Sequence, residues 1–367
     1  MAPLTGLKVV EAASFLSGPM AGMMLADLGA SVVKVEPPRG DPYRRFGKPY
    51  GDSSLLFKAA NGNKTGIALD LKSEAGINAL FTLLADADVL ITNWRPSVAA
   101  KMGLTPERVR ADFPRLIWCR VSGYGQDGPR SDLPAYDGIV QARSGSAISG
   151  SDAPLNTNNN VADKVSAMFA AQTITAALHQ RERTGTGSIC DLAMVDALAY
   201  FYGADISAGH RIVDAEPDMD VGVQVLSDSN FPTAEGYLVL APVTGHQIRR
   251  AMEAAGCGDM FGSVMDAPRA ETFNVFAGAV GPKLLERAAL DWEDIFAEND
   301  VPAAAVRDFA QHIDDPQTQH NGTYRAVADE SVDGEWLQVR YPAFFDGEVA
   351  ENAALRAPAL ESPDEPA

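Results

Sequence analysis

Short apolar, β-branched runs alternate with helically spaced segments over roughly the first 125 residues, and this alternation limits the fold more than any other property of the chain. Residues 7–11, 31–36, 67–71, 88–93 and 115–121 read as strands whose apolar faces are nearly continuous. Strands read that way when helices cover both faces of a parallel sheet, because neither face meets water. Helical spacing is found between them at 19–28, 73–85 and 105–112, with Ser73 and the Thr105-Pro106 pair as start signals. The pattern predicts an α/β fold with a doubly wound, mostly parallel, Rossmann-like sheet.

A long apolar helix is expected from Asp163 to about Arg183, ended by Thr184-Gly185-Thr186-Gly187, and then a strand at 189–194. The pattern changes near residues 227–233, and a new strand at 235–241 opens a second region. With 367 residues and roughly 150 per domain, two domains are expected, laid out in three parts along the chain. They are a large α/β domain at 1–225, a small α+β domain at 226–325, and a segment at 326–367 that returns to the large domain. Its Pro- and Glu-rich end, 361–367, is expected to be disordered.

Composition excludes several classes of function. No apolar run reaches about 18 residues, so no membrane span is expected, and the N-terminus has no secretory pattern, which makes cytoplasm the default. A formal charge of −19 repels nucleic acid. Cys119, Cys190 and Cys257 lie far apart, with no CxxC pair and no histidine at ligand spacing, so neither a disulfide framework nor a metal site is expected. A polyanionic ligand would need a local basic cluster, for which Arg44, Arg45, Lys48, Arg95 and Lys101 are candidates.

Residues 123–128 match G-x-G-x-x-G after a strand, but Pro129, Ser131 and Pro134 follow at once and prevent the helix that a dinucleotide fingerprint must open. No G-x-S-x-G elbow, phosphate-binding lysine loop or H-E-x-x-H is present. Attention then falls on Asp163, at the start of the long helix. Alone, an aspartate there is a helix cap, since it accepts free first-turn N–H groups.

The surroundings of Asp163 change that reading. Leu4-Thr5-Gly6-Leu7-Lys8-Val9-Val10-Glu11 with Ser17-Gly18-Pro19, the run from Leu25 to Pro37, Asn93-Trp94-Arg95-Pro96 and Met102-Gly103-Leu104 occur in order. The loop from Ser122 to Pro129, Tyr136-Asp137, the Asp163 helix, Gly185-Thr186-Gly187, Val301-Pro302-Ala303 and Asp315-Pro316 continue the series. Together these motifs resemble the family III CoA-transferases of the CaiB/BaiF type, in the superfamily that also holds formyl-CoA transferase and α-methylacyl-CoA racemase.

The resemblance implies an intertwined homodimer that moves CoA from an acyl-CoA donor to a small carboxylic acid acceptor. Asp163 would be the nucleophile, passing through a mixed anhydride and an enzyme-CoA thioester. No permanently bound cofactor is implied, only coenzyme A or acyl-CoA as substrate. Leu69, Asn93, Trp94, Lys101 and Met102 would line the nucleotide part of the pocket, in front of a short helix suited to a phosphate or ribose. Tyr124 would lie at the thioester end, and Phe46 near the acyl group.

Departures from the family pattern bear on the chemistry. Tyr136 stands where racemising relatives carry a histidine, and a phenol with a reference pKa near 10 is poorly suited to removing an α-proton at neutral pH. Transfer is therefore preferred to the alternative, a 2-methylacyl-CoA racemase or epimerase. Leu16 stands where some transferases carry a glutamine. A non-catalytic acyl-CoA-binding protein, with Asp163 as a cap only, is the alternative from another class.

Overall fold

The computed structural model describes residues 2–145, 148–149, 154–155, 159–204, 230–268, 271–329, 331–349 and 356–360. The end at 361–367, expected to be disordered, lies outside the described residues. By contacts the chain divides into one unit of Met1–Ala204 with Asn321–Ala367 and a second of Asp205–His320.

Six strands build the centre of the first unit: β1 (Lys8–Ala12), β2 (Ser31–Glu36), β3 (Lys64–Ala68), β4 (Val89–Thr92), β5 (Ile117–Ser122) and β6 (Ile189–Ala193). They pair in the order β6-β5-β4-β1-β2-β3, and every pairing is parallel. The winding direction reverses between β1 and β4. In such a sheet a crevice opens there, beyond the carboxyl ends of the strands.

Strand periodicity explains the two cores. Val9, Ile91 and Cys119 point to one face and pack with Leu25, Ile174 and Leu198. Their neighbours Val10, Leu90 and Trp118 point to the other and pack with Leu80, Leu84 and Val109. Each fully buried leucine or isoleucine contributes about 1.5–3 kcal/mol.

The covering helices are α1 (Ser17–Asp27), α2 (Leu55–Ala60), α3 (Glu74–Leu84), α4 (Pro96–Lys101), α5 (Pro106–Asp112), α6 (Asp137–Ser144), α7 (Val161–Thr184) and α8 (Met194–Phe201). The expected start signals act as caps: the Ser73 hydroxyl accepts the Gly76 N–H and the Thr105 hydroxyl accepts the Arg108 N–H. One strand is displaced from its expected position at 67–71. β3 begins at Lys64, and Leu69 to Ser73 turn away, with Leu71 N–H donating to the Leu69 carbonyl.

Lys64 escaped the apolar pattern because it is a buried charge. Its ammonium lies 2.6 Å from Glu11 Oε2, while Lys34 lies 2.9 Å from Glu11 Oε1 and 3.0 Å from Asp41 Oδ2. Arg44 grips Glu36 through two bonds of 2.7 Å. Three carboxylates thus face three cations with almost no exposure. Burial works against these charges, yet Lys34 and Lys64 hold the Glu11 carboxyl below its usual range. Helix α1 passes so close that a Cβ on Gly22 would sit 2.4 Å from Glu11 Oε2.

The returning part of the first unit contains a hairpin, β10 (Tyr324–Asp329) with β11 (Gly334–Val339), tied to α2 by the Lys58–Asp329 ion pair at 2.5 Å. Residues 356–360 then run along β3. Asn63 N–H donates to the Arg356 carbonyl, Arg44 donates to the Pro358 carbonyl, and a Cβ on Gly66 would meet the Ala359 carbonyl oxygen at 2.5 Å.

The second unit has an antiparallel sheet of β7 (Asn230–Pro232), β8 (Tyr237–Leu240) and β9 (Ala303–Ala305). Helices α9 (Gly245–Ala254), α10 (Thr272–Leu284) and α11 (Ala289–Glu298) cover it, burying Leu238, Leu240, Phe276, Trp292 and Phe296. A capping box between Thr244 and Gln247 starts α9.

Candidate active site

The crevice between β1 and β4 holds a cleft of about 780 Å³. Ser14 and Phe15 enter from the loop after β1, Asn93 and Trp94 from the loop after β4, and Ser122 and Gly123 from the end of β5. Asn93 fixes the first two loops together. Its Oδ1 accepts the Ser14 N–H at 3.0 Å and its Nδ2 donates to the Ser14 carbonyl at 2.7 Å. Both ends of the amide are therefore occupied, so Asn93 shapes the crevice as a brace between the two loops.

The starts of α1, α6 and α7 supply Ser17, Asp137 and Asp163 to the same cleft. Asp163 sits in the first turn of α7, where the residue before the helix, Asn160, has φ +51° and makes no side-chain cap. The capping duty falls to a different helix. Asp137 Oδ2 accepts the Asp163 N–H at 3.0 Å, and Asp137 Oδ1 is held by the Gln141 side chain. The Asp163 carboxyl is thereby released from the role an aspartate at a helix start ordinarily fills.

Its environment suits a nucleophile. Burial, and then the neighbouring Asp137 charge, raise the Asp163 pKa from 3.8 to about 7, while hydrogen bonds from Ser17 hold it back. The same carboxylate helps to push the Tyr43 phenol up, after burial, which places that ring close by. No lysine or arginine forms an ion pair with Asp163 among the described residues. A carboxylate so desolvated is more reactive than one in water.

A second cavity of about 460 Å³ adjoins the first, since Ser14 and Trp94 belong to both walls. Leu69, Trp94, Lys101 and Met102, four of the residues the sequence assigned to the nucleotide, line it together with Lys72. Asn93 lines only the larger cleft. Tyr124 lines neither cavity, and its ring lies 5.6 Å from the Arg143 guanidinium. Two expectations about charge change. Arg44, a candidate for phosphate, is committed to Glu36, and the Ser97 N–H at the start of α4 already donates to Asp132 at 3.0 Å.

Ser17 and Ser14 were not singled out from the sequence. A serine preceding Gly18-Pro19 carries no signal of its own, and only the arrival of α1 beside α7 places it against Asp163. The loop from Gly123 to Pro134 has no helix before α6 at Asp137, in keeping with the rejection of a dinucleotide fingerprint.

Comparison with known proteins places this geometry in context. The family model described as CoA-transferase family III matches residues 4–362. A succinate–glutarate CoA-transferase from Agrobacterium fabrum is 33% identical over 341 residues, spanning 87% of this chain and 84% of that protein. A cinnamoyl-CoA:phenyllactate CoA-transferase from Clostridium sporogenes is 29% identical over 369 residues, spanning 93% and 87%. A CaiB/BaiF family protein from Brucella suis has a similar structure, with a TM-score of 0.83 and 28% identity over 98% of this chain and 96% of that one.

Proposed function

Because the chain belongs to CoA-transferase family III, we propose that it moves CoA from an acyl-CoA thioester to a carboxylic acid acceptor through covalent intermediates on Asp163. One observation supports this reading above the rest. Asp163 lines the cleft, its helix-capping role is taken by Asp137, and its pKa of about 7 keeps a substantial fraction ionised at neutral pH without an ion-pair partner among the described residues.

In the first step an Asp163 oxygen attacks the thioester carbonyl carbon, the C–S bond breaks, and CoA leaves as thiolate with a mixed anhydride formed on the enzyme. The thiolate then attacks the Asp163 Cγ and expels the donor's carboxylate, giving an aspartyl-CoA thioester. The acceptor carboxylate attacks that carbon, again freeing thiolate and forming a second anhydride. Attack of the thiolate on the acceptor's acyl carbon releases the new acyl-CoA and restores Asp163. Each step passes through an oxyanion, and in this reading the Ser17 amide, which bonds the Asp163 carboxylate, serves as a donor when that charge develops on Asp163.

In this reading the smaller cavity takes the nucleotide of CoA against Trp94, Leu69 and Met102, with Lys72 and Lys101 toward its phosphates. Tyr124 would reach the thioester only with a change of its loop. The active form is a homodimer, for which the exposed Ile139, Met168, Tyr200 and Phe201 on α6, α7 and α8 offer an apolar face.

Intact-protein mass spectrometry after incubation with an acyl-CoA tests the mechanism. A hydroxylamine-sensitive adduct of wild type that vanishes in Asp163→Ala is the expected result. Binding without any adduct would instead favour the non-catalytic reading, and solvent deuterium appearing at the α-carbon would favour racemisation.

A further inference from the structure

We propose that the acyl group accepted here is apolar, of aromatic size and uncharged at its far end, an inference that rests on the transferase reading above. The cleft around Asp163 is lined by Phe15, Tyr43, Phe46, Tyr136, Leu133 and Met194. Four of these form a continuous series of ring contacts. Tyr136 meets Phe15 edge-on at 5.4 Å, Phe15 meets Tyr43 at 6.3 Å, and Tyr43 stacks on Phe46 at 5.9 Å.

The outer rings of that series are unusually bare, with Phe46 60% and Tyr136 61% exposed. Large aromatic faces left open at the mouth of a cleft bind apolar surface when a ligand covers them. Phe15 is held there against its backbone preference. Its φ is +66°, a conformation that costs a non-glycine residue free energy, and its N–H is fixed by Asp41 Oδ1 at 3.2 Å. Asp41 is itself bound to Lys34, so the buried ion network sets the position of the ring.

Charge in the cleft points the same way. Asp137 and Asp163 are the acids of its lining, and Arg95 is the lone cation among the lining residues described. Arg95 lies within electrostatic reach of Asp132, beside Lys101, at the start of α4. A second carboxylate on the acyl group would therefore meet two acids beside the reacting carbon, with Arg95 the one cation among the lining residues described, and a charge left unpaired next to those acids is disfavoured. Apolar and aromatic acyl groups meet no such penalty.

Donor specificity tests this directly. With a common acceptor, kcat/KM for phenylacetyl-CoA should exceed that for succinyl-CoA by at least about tenfold. Phe46→Arg, at an exposed position, should narrow or reverse that ratio by supplying a cation. Equal or better use of succinyl-CoA by wild type, with the Asp163 adduct forming, would overturn the acyl assignment and leave the reaction intact. Calorimetry with non-cleavable thioether analogues of the two donors reads the preference without chemistry. Tighter binding of the phenyl analogue sustains the assignment even if no adduct ever forms, and tighter binding of the succinyl analogue overturns it.

Discussion

Glu11, Glu36 and Asp41 are each matched by a lysine or arginine in a fully enclosed network, whereas Asp137 and Asp163, in the same unit, share a cleft without an ion-pair partner among the described residues. At Glu11 burial opposes ionisation but Lys34 and Lys64 outweigh it, and the carboxyl stays charged well below neutral pH. In the second, burial and a like charge act in the same direction, and the Asp163 pKa rises to about 7. Paired charges hold strands and loops in place. An unpaired one keeps its reactivity at a cost in stability, and the two sets are connected through Asp41 and Phe15.

The strongest way to break this contrast is to remove the proposed nucleophile. Asp163→Ala should lower transfer turnover by roughly four orders of magnitude while CoA still binds, as loss of a covalent nucleophile does elsewhere. Steady-state assays and calorimetry on one preparation check both halves.

On the structural side, Lys34→Met would strand Asp41 without a cation and leave Glu11 with Lys64 alone. Denaturant unfolding should show a loss of about 3–5 kcal/mol. A loss under about 1 kcal/mol would mean that the network is not what holds the β1–β2 region together.

The two carboxylate groups should also respond to pH with opposite signs. The folded pKa of Asp163 lies above its ordinary 3.8, so its contribution to stability is fully present below about pH 4 and is lost as pH rises through about 7. Asp163→Asn should therefore raise stability at pH 8 by on the order of 2 kcal/mol, allowing for partial solvent screening, and by less at pH 5. Glu11 behaves in reverse, its contribution failing as pH falls.

Catalysis should follow the ionised form of Asp163, with kcat rising with pH and levelling above about 7. Asp137→Asn keeps an acceptor for the Asp163 N–H but removes the like charge, so the midpoint should move to lower pH. A pH–rate profile of the variant reads that shift. The smallest effect is expected at the cavity proposed for the nucleotide, where Lys101→Glu should weaken CoA binding about fivefold by calorimetry, in the range of exposed charges.

Much of this architecture could be read from residue order, because strands buried on both faces leave uninterrupted apolar runs. The strand at 31–36 and the helices begun by Ser73 and Thr105 lie where that pattern put them. The misplacement of β3 has the opposite cause, since Lys64 looks like surface in any periodicity yet is buried through partners distant in sequence. The site divides likewise. Asp163 and the Leu69, Trp94, Lys101 and Met102 group could be named from motifs, and the structure brings them to adjoining cavities. Short α6, the Asp137 cap and the approach of Ser17 depend on how helices meet in space, which no local pattern encodes.

The covering of β3 by residues 356–360 has its own consequence. A strand at the margin of a sheet is a template on which a foreign chain can add itself, and here the protein's own later segment occupies part of that template. The fit needs Gly66, since any side chain there would strike the Ala359 carbonyl. A substitution at position 66 would therefore show itself less in chemistry than in self-association, with soluble yield during expression as the first casualty.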